Sequence, residues 1–182
     1  VQVPMHGPNQ TSAGTLTVTI AAIHALRNAM ASRADPGVGV VSSGPDLFVD
    51  VEVGALTLPS SVKADPEVGE VWVEVDLVDI GDKAALTTPR LRKTTVPLDF
   101  KFSHSVPVES GSKEATTLKS VLEAADEQEA DVYFELKTSS RTKGEWQVGQ
   151  GFLSLRKLLD SGRDMRTVPV QLQGTKGPAG TL

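Results

Sequence analysis

The chain lacks cysteine altogether, and aromatic residues make up only 4% of its 182 positions. Without cysteine there can be no disulfide, no thiolate nucleophile and no zinc site with cysteine ligands. The three histidines, His6, His24 and His104, lie far apart in the sequence and do not have the spacing of metal ligands. We therefore expect neither a metal nor a cofactor.

Long apolar runs and an excess of basic residues are also missing. No apolar stretch approaches the roughly 20 residues that a membrane-spanning helix needs, and the N-terminus lacks the basic and apolar segments of a secretion signal. The net charge of −5 argues against general nucleic-acid binding, because phosphate recognition requires a dominant basic face. We expect a soluble, single-domain protein whose partners are proteins.

Alternation of apolar and polar residues is abundant, and it is clearest towards the C-terminus. From Val132 to Leu136 every second residue is apolar, which is typical of a strand that buries one face. A polar loop from Thr138 to Gly144 follows, and a second strand begins near Val148. Gly149 and Gly151 in that strand permit a close approach or a bulge. The pattern predicts a β hairpin with a basic loop.

The order of strand, polar loop, Trp-x-Val-Gly-x-Gly strand and leucine-rich turn resembles the penultimate hairpin of a C2 domain. The resemblance implies an all-β fold, an antiparallel eight-stranded C2-like β-sandwich. In calcium-binding C2 domains this loop carries aspartates, because calcium takes about six to eight oxygen ligands. The corresponding positions here include Lys137, Arg141 and Lys143, and the single acid nearby is Glu145. We therefore expect a calcium-independent domain.

Further strands and one helix surround this hairpin. Pro97 and Pro107 are expected at strand ends or on an edge, because proline cannot donate to an interior ladder. An apolar stripe with helical spacing predicts one inserted α-helix at about residues 113–129, and a short helical turn ends at Gly162. Alternation predicts strands near residues 47–58, 70–79, 91–96, 97–108 and 167–172.

Residues 1–44 differ from the rest, since they contain many glycines and prolines and few charges. We expect them to form an N-terminal extension or linker with one short strand or helix, followed by the sandwich at residues 45–174 and a flexible tail at 175–182. The segment Thr15–Ala31 first alternates and then takes helical spacing, which indicates a strand turning into a short helix. A second interpretation makes Gly14–Leu26 the first strand of the sandwich. We place it second because it leaves too many strands downstream.

Seven segments, taken in order, carry a closer resemblance: LFVDVEVGALTL, EVWVEVDLVD, TPRLRK, VPLDFKFSHSVPVES, LKSVLEA, DVYFELKTSS and GFLSLRKLLDSGRD. Together they resemble the C-terminal C2-like domain of the retinitis pigmentosa GTPase regulator-interacting protein family, over about Asp46 to Gln173. The resemblance implies a cytoplasmic scaffold of the ciliary base, basal body and transition zone. It also implies that the domain binds proteins, among them the propeller domain of the GTPase regulator and nephrocystin-4. It assigns no individual binding residue.

Two groups of residues are candidates for partner binding. The first consists of hairpin residues and includes a tryptophan that is either an interface anchor or packed against the sandwich end: Lys137, Arg141, Lys143 and Trp146. The weaker group is a basic patch: Arg90, Arg92, Lys93 and Lys101. Because acids outnumber bases in the chain, solvated charges or an acidic protein partner are favoured over an anionic lipid surface. The sequence favours a protein-interaction module, with a lipid-binding C2 domain as the alternative.

Two polar constellations have simpler explanations than catalysis or metal binding. His104 has a serine on each side, but neighbouring side chains of a strand point to opposite faces, and no nucleophile-elbow motif is present. Four acids in turns could form a calcium cup only with acids from a second loop: Asp65, Asp76, Asp79 and Asp82. We expect no enzymatic activity.

Overall fold

A computed structural model describes residues 11–31 and 47–174. The linker part of the predicted N-terminal extension and the predicted C-terminal tail fall outside these ranges. The strands are β1 Ser12–Ala21, β2 Phe48–Thr57, β3 Glu70–Asp76, β4 Leu91–Arg92, β5 Leu98–Pro107, β6 Asp131–Ser140, β7 Gly144–Ser154 and β8 Met165–Gly174. The helices are α1 Ile23–Ala31, α2 Ser60–Ala64, α3 Lys113–Glu123, a 3₁₀ helix Glu127–Ala130 and α4 Leu155–Ser161.

The eight strands follow the order β4-β3-β6-β7-β8-β1-β2-β5. Every pairing between neighbours is antiparallel. The two halves of this order meet at only two residue pairs, Gly149 with Gly174 and Gln150 with Gln173. They therefore form the two layers of a sandwich, and the predicted antiparallel eight-stranded β-sandwich is confirmed.

The core lies between the two layers, and alternation of side chains places it there. Val132, Phe134 and Leu136 of β6 are fully buried, while the residues between them are partly exposed. Val73 of β3 is buried on the same side. Each such side chain stabilises the fold by roughly 1.5–3 kcal/mol through removal of apolar surface from water. The alternation of apolar and polar residues in β3 and β6 thus gives this layer one apolar face, which is buried in the core.

Gly149 and Gly151 allow β7 to approach its neighbours closely, as the sequence predicts. A Cβ atom on Gly149 would lie 2.4 Å from the Cβ of Ala13 and 2.6 Å from the carbonyl oxygen of Gln173. The register between β6 and β7 also shifts next to Leu136, so a bulge is present as well. Absence of side chains at these two glycines is what lets the two layers join.

The sequence predicts an N-terminal segment outside the sandwich, but its strand β1 is part of the sandwich. It lies between β8 and β2 and pairs with both of them, and its Leu16, Val18 and Ile20 are buried in the core. The second interpretation, in which this segment supplies the first strand of the sandwich, is therefore the better one for the strand. The change from strand to helix that the first interpretation predicts is also present, because α1 follows β1. The reason is that β2 and β8 would each have an open edge without β1. The division of the chain into domains otherwise stays a prediction.

The inserted helix is present but ends earlier than the sequence predicts. The Ser112 hydroxyl accepts a hydrogen bond from the Ala115 amide at 3.1 Å and begins α3. The helix ends at Glu123, since the backbone of Ala124 is not helical, with ψ at 146°, and Asp126 and Glu127 beyond it would be unfavourable at a helix C-terminus. Arg156 donates to the carbonyl of Ala124 at 2.8 Å and satisfies this end. Asp126 then caps the separate 3₁₀ helix.

Further boundaries differ from the prediction, and one of them is the end of β3 at Asp76 instead of residue 79. The strand expected at residues 91–96 contains only β4, Leu91–Arg92. The loop expected from Thr138 to Gly144 is a turn of residues 141–143, since β6 continues to Ser140 and β7 begins at Gly144. Thr138 is polar but buried, and its hydroxyl donates to the Glu70 carbonyl at 2.7 Å. A satisfied hydroxyl lets a polar residue continue the buried face of the strand.

Candidate functional site

Three loops meet at one end of the sandwich and enclose a groove of about 800 Å³. They are the β2–β3 loop at residues 58–69, the β4–β5 loop at 93–97 and the β6–β7 turn at 141–143. This is the end at which the C2 resemblance expects calcium-binding loops. We call it the rim groove, and its lining is Pro66, Glu67, Val68, Gly69, Glu70, Arg92, Lys93, Ser139, Ser140, Arg141 and Thr142.

Lysine side chains join the first two of these loops. The Nζ of Lys63 donates to the carbonyl of Thr95 at 2.8 Å. The Nζ of Lys93 donates to the carbonyl of Asp65 at 2.5 Å. Two ammonium groups therefore bridge the β2–β3 and β4–β5 loops.

A carboxylate joins the first loop to the β6–β7 turn. Glu67 accepts a hydrogen bond from the Ser140 hydroxyl at 2.9 Å and another from the Thr142 hydroxyl. These hydrogen bonds, Thr142 first and Ser140 second, hold the pKa of Glu67 below its ordinary value, and the nearby charge of Lys143 acts in the same direction. Glu67 is therefore ionised at neutral pH and engaged with protein groups.

The acids that the sequence suggested as a calcium cup are not brought together. Asp65 lies in the β2–β3 loop at the rim, whereas Asp76 ends β3 and Asp79 and Asp82 follow it at the opposite end of that strand. Within the described ranges, no group of three or more histidine, cysteine or acidic side chains could hold a metal ion. The donor set at the rim does not fit calcium, which takes about six to eight oxygen ligands.

The four hairpin candidates are divided among three environments. Arg141 and Lys143 are exposed in the β6–β7 turn, and Arg141 lines the rim groove. Trp146 is half-buried against the core, and the Nζ of Lys143 lies 5.7 Å from the centre of its ring. Its buried Nε1 has no hydrogen-bond partner within the described part of the chain. Lys137 is on the outer face of the sheet, in ion pairs with carboxylates. Their role in partner binding stays a prediction.

The weaker basic group does not form one patch. Arg92 and Lys93 line the rim groove, and the guanidinium of Arg92 lies 4.0 Å from Glu70. Arg90 lies over the ring of the buried Trp72. Lys101 is on the edge strand β5, in a separate groove of about 330 Å³. Only two members of this group adjoin Arg141.

His104 has the placement expected of a strand residue. It pairs with Val51 of β2 across the sheet and is half-buried. Its neighbours Ser103 and Ser105 alternate with it along β5 and are exposed, and the Ser105 hydroxyl donates to Asp50 at 2.5 Å. Ser105 is thus engaged with a carboxylate of the neighbouring strand and not with the imidazole.

Sequence reasoning missed the bridges at the rim and one feature of the outer sheet face. These bridges are hydrogen bonds between loops that are distant in sequence, and they involve Glu67, Lys63 and Lys93. No local sequence pattern predicts such contacts. The aromatic pair Tyr133 and Phe152, by contrast, occupies positions where alternation predicts polar residues. An aromatic residue at such a position was a usable signal.

Comparisons with known proteins bear on this geometry. Over residues 46–181 the chain matches the family described as "Retinitis pigmentosa G-protein regulator interacting C-terminal". No curated protein matches it.

Among the helices described, none has the length and apolar character required to cross a lipid bilayer.

Solved structures of C2 domains are similar to the chain. The solution structure of the third C2 domain of KIAA1228 protein has a TM-score of 0.50 and 15% identity, covering 97% of this chain and 99% of that chain. The A-type C2 domain of RIM from Drosophila has a TM-score of 0.48 and 10% identity, with 90% and 100% covered. The corresponding domain of RIM2 has a TM-score of 0.44 and 14% identity, with 90% and 100% covered.

The expectation of a C2-like fold is thus confirmed, and the first of these structures supports it at the level of fold alone. The family match covers most of the chain and includes all seven segments that carried the resemblance. The chain therefore belongs to the family of retinitis pigmentosa G-protein regulator interacting C-terminal domains.

Proposed function

We propose that the chain is a calcium-independent protein-interaction module of a cytoplasmic scaffold at the ciliary base, basal body and transition zone. It has no enzymatic activity in this proposal. The partner is a protein, with the propeller domain of the GTPase regulator as first candidate and a nephrocystin-4-like protein as second. The family's description, which names an interaction with the G-protein regulator, supports a protein partner.

The bridges between the rim loops support calcium independence. In a calcium-binding domain the ion holds the loops together, and removal of the ion frees them. Here Lys63 and Lys93 donate to loop carbonyls, and Glu67 accepts from two hydroxyls. A divalent cation at this place would meet ammonium groups as well as carboxylates, which is unfavourable. The loops keep their arrangement without a metal.

The charge of the rim groove supports an acidic segment of the partner as its occupant, and this observation carries the proposal. Glu70 lies 4.0 Å from Arg92, and Glu67 is engaged by hydroxyls. Arg141 makes no ion pair with any described residue, and Lys93 bonds to a carbonyl and not to a carboxylate. The positive charges of Arg141 and Lys93 are therefore available to pair with a carboxylate of the partner.

The test measures binding of the purified chain to the purified propeller domain, in calcium and in a chelator. Arg141→Glu is the test variant, and Lys101→Glu on the distant strand β5 is the matched control. We expect Arg141→Glu to weaken binding about tenfold, or ~1.4 kcal/mol, mainly through slower association. Lys101→Glu should bind like the wild type, with and without calcium. Equal binding by both variants would remove the rim groove as the contact site, and binding only in calcium would overturn calcium independence.

A second candidate is binding to anionic membrane lipids. Its specific support is the exposure of Val96, 64%, in the β4–β5 loop at the same end as Arg141 and Lys143. An exposed apolar side chain beside cations is typical of a membrane-contacting surface. Sedimentation with phosphatidylserine vesicles separates the two functions. We expect the chain to stay in the supernatant, and pelleting that Val96→Ser abolishes would favour the second candidate.

A further inference from the structure

The outer face of β3, β6 and β7 has side chains arranged in three rows across the strands. Alternation along each strand places the members of all three rows on the same side of the sheet. The first row is at the end away from the rim groove, and the third is nearest to it. The rows are Asp76, Tyr133 and Phe152, then Glu74, Glu135 and Gln150, then Trp72, Lys137 and Gln147.

Near the rim, this face already holds its own cations. The guanidinium of Arg90 lies 3.9 Å from the centre of the Trp72 ring, and its Nη2 is 2.6 Å from the Oε1 of Glu145. A cation is thus held between an aromatic face and a carboxylate, which is a favourable arrangement.

The middle row is also compensated from within the chain. The Nζ of Lys137 is 2.5 Å from Glu74 and 3.3 Å from Glu135. Hydrogen bonding and the charge of Glu74 raise the pKa of Lys137 despite its partial burial, so the lysine stays charged. Two carboxylates share this one cation in the centre of the face.

The far row has the same kind of groups, but none of them has an ion pair with any described residue. Phe152 is 52% exposed, and its ring centre lies 5.9 Å from that of Tyr133. Asp76 is directly across from Tyr133 and has no ion pair with any described residue. Lys83 lines a small hollow of about 40 Å³ together with three carboxylates, those of Glu74, Asp76 and Glu135.

The surroundings of this aromatic pair are acidic. After burial, the groups that raise the pKa of Tyr133 are the carboxylates of Asp131, Asp126 and Asp76. Lys157 offsets part of the charge of Asp131, whereas Asp126 and Asp76 have no ion pair with any described residue. An exposed aromatic residue beside such carboxylates attracts cations and repels anionic lipid headgroups. The charge of this row is therefore opposite to that of the rim groove.

We propose that the row of Asp76, Tyr133 and Phe152 docks an arginine- or lysine-bearing segment of a protein partner, with the cation over the aromatic pair and paired to Asp76. At the other end of the face, Arg90 contacts Trp72 and Glu145 in the same way. In the proposed complex the cation comes from the partner instead of from this chain. The surface is about 20 Å from the rim groove along β3, at about 3.3 Å per residue. It is therefore a second contact surface, and the proposal does not depend on the first.

The test is an NMR titration of the ¹⁵N-labelled chain with two short probe peptides, one of alternating arginine and glycine and one of alternating glutamate and glycine. We expect the arginine peptide to shift the amide signals of β6 and β7 around Tyr133 and Phe152 in a salt-sensitive manner. Phe152→Ser and Asp76→Asn should each weaken this binding about two- to fivefold, the factor that an exposed cation–π contact or ion pair contributes.

The matched control is Phe48→Ser, because Phe48 is an exposed phenylalanine, 40%, on β2 of the other layer. This variant and Arg141→Glu should titrate like the wild type. Shifts centred on the rim, an equal response to the glutamate peptide, or equal weakening by Phe48→Ser would overturn the proposal. Loss of propeller binding in Arg141→Glu with an unchanged arginine-peptide titration separates the two surfaces. Asp76→Asn keeps the side-chain size, so it supplies a readout even if Phe152→Ser unfolds.

Discussion

Substitution of Gly149 by alanine should destabilise the fold strongly, because this glycine lies where the two layers join. The added Cβ would be 2.4 Å from the Cβ of Ala13 and 2.6 Å from the carbonyl oxygen of Gln173. Carbon atoms in contact are ordinarily about 3.5–4.0 Å apart, so the backbone of β7 must move by more than about 1 Å. One of the obstructing atoms belongs to the backbone of β8 and cannot rotate away.

The cost of such overpacking is about 1–3 kcal/mol, and the rigid neighbours favour the upper end. For a chain of this size a loss of about 3 kcal/mol lowers the melting temperature by about 6 to 12 °C. The matched control is Gly54→Ala in β2, where the nearest atom to the new Cβ is the Thr17 carbonyl oxygen at an ordinary 3.5 Å. This control should be neutral or more stable by up to about 1 kcal/mol, since alanine restricts the unfolded chain. Calorimetric melting of the two variants tests the reasoning, and a Gly149→Ala protein that melts at or above the wild type would refute it.

Two further predictions concern buried polar groups. Thr138→Val should lower the free energy of unfolding by about 1 kcal/mol, because the buried hydroxyl donates to the Glu70 carbonyl at 2.7 Å; urea unfolding measures this, and an unchanged midpoint would contradict it. Burial raises the pKa of Asp131 above its ordinary 3.8, so the folded state binds this proton more tightly than the unfolded state and loses stability as the pH rises from 3.8 through the folded pKa. Asp131→Asn should therefore melt higher than the wild type at neutral pH, with a difference that disappears below pH 3.8; a difference that is constant with pH would argue against this cause.

The layer built on β3 and β6 could be predicted from the sequence because its signal is local. Val132, Phe134 and Leu136 alternate with partly exposed residues over a single strand, and the burial of each follows from its position. The close approach at Gly149 was also predictable, since only a missing side chain permits it. These properties depend on neighbours within a few residues.

The position of β1 could not be obtained in this way, because its partners are distant in sequence. Val18 pairs with Val168 on one side and Val53 on the other, and alternation alone does not state which strands are neighbours. The same limit applies at the rim, where Thr142 bonds to Glu67 across 75 positions. The sequence predicted the cations of the β6–β7 turn but not the bridges that hold the loops around them.

The pairing of β1 with β8 has a consequence for synthesis of the chain. Of the described strands, a ribosome makes β1 first and β8 last, so the nascent chain carries an incomplete sheet until almost all of it has emerged. Each open strand edge is a template for pairing with another molecule. A fragment that begins at residue 46, where the family match begins, would lack β1 permanently, and we expect it to aggregate where the longer chain folds.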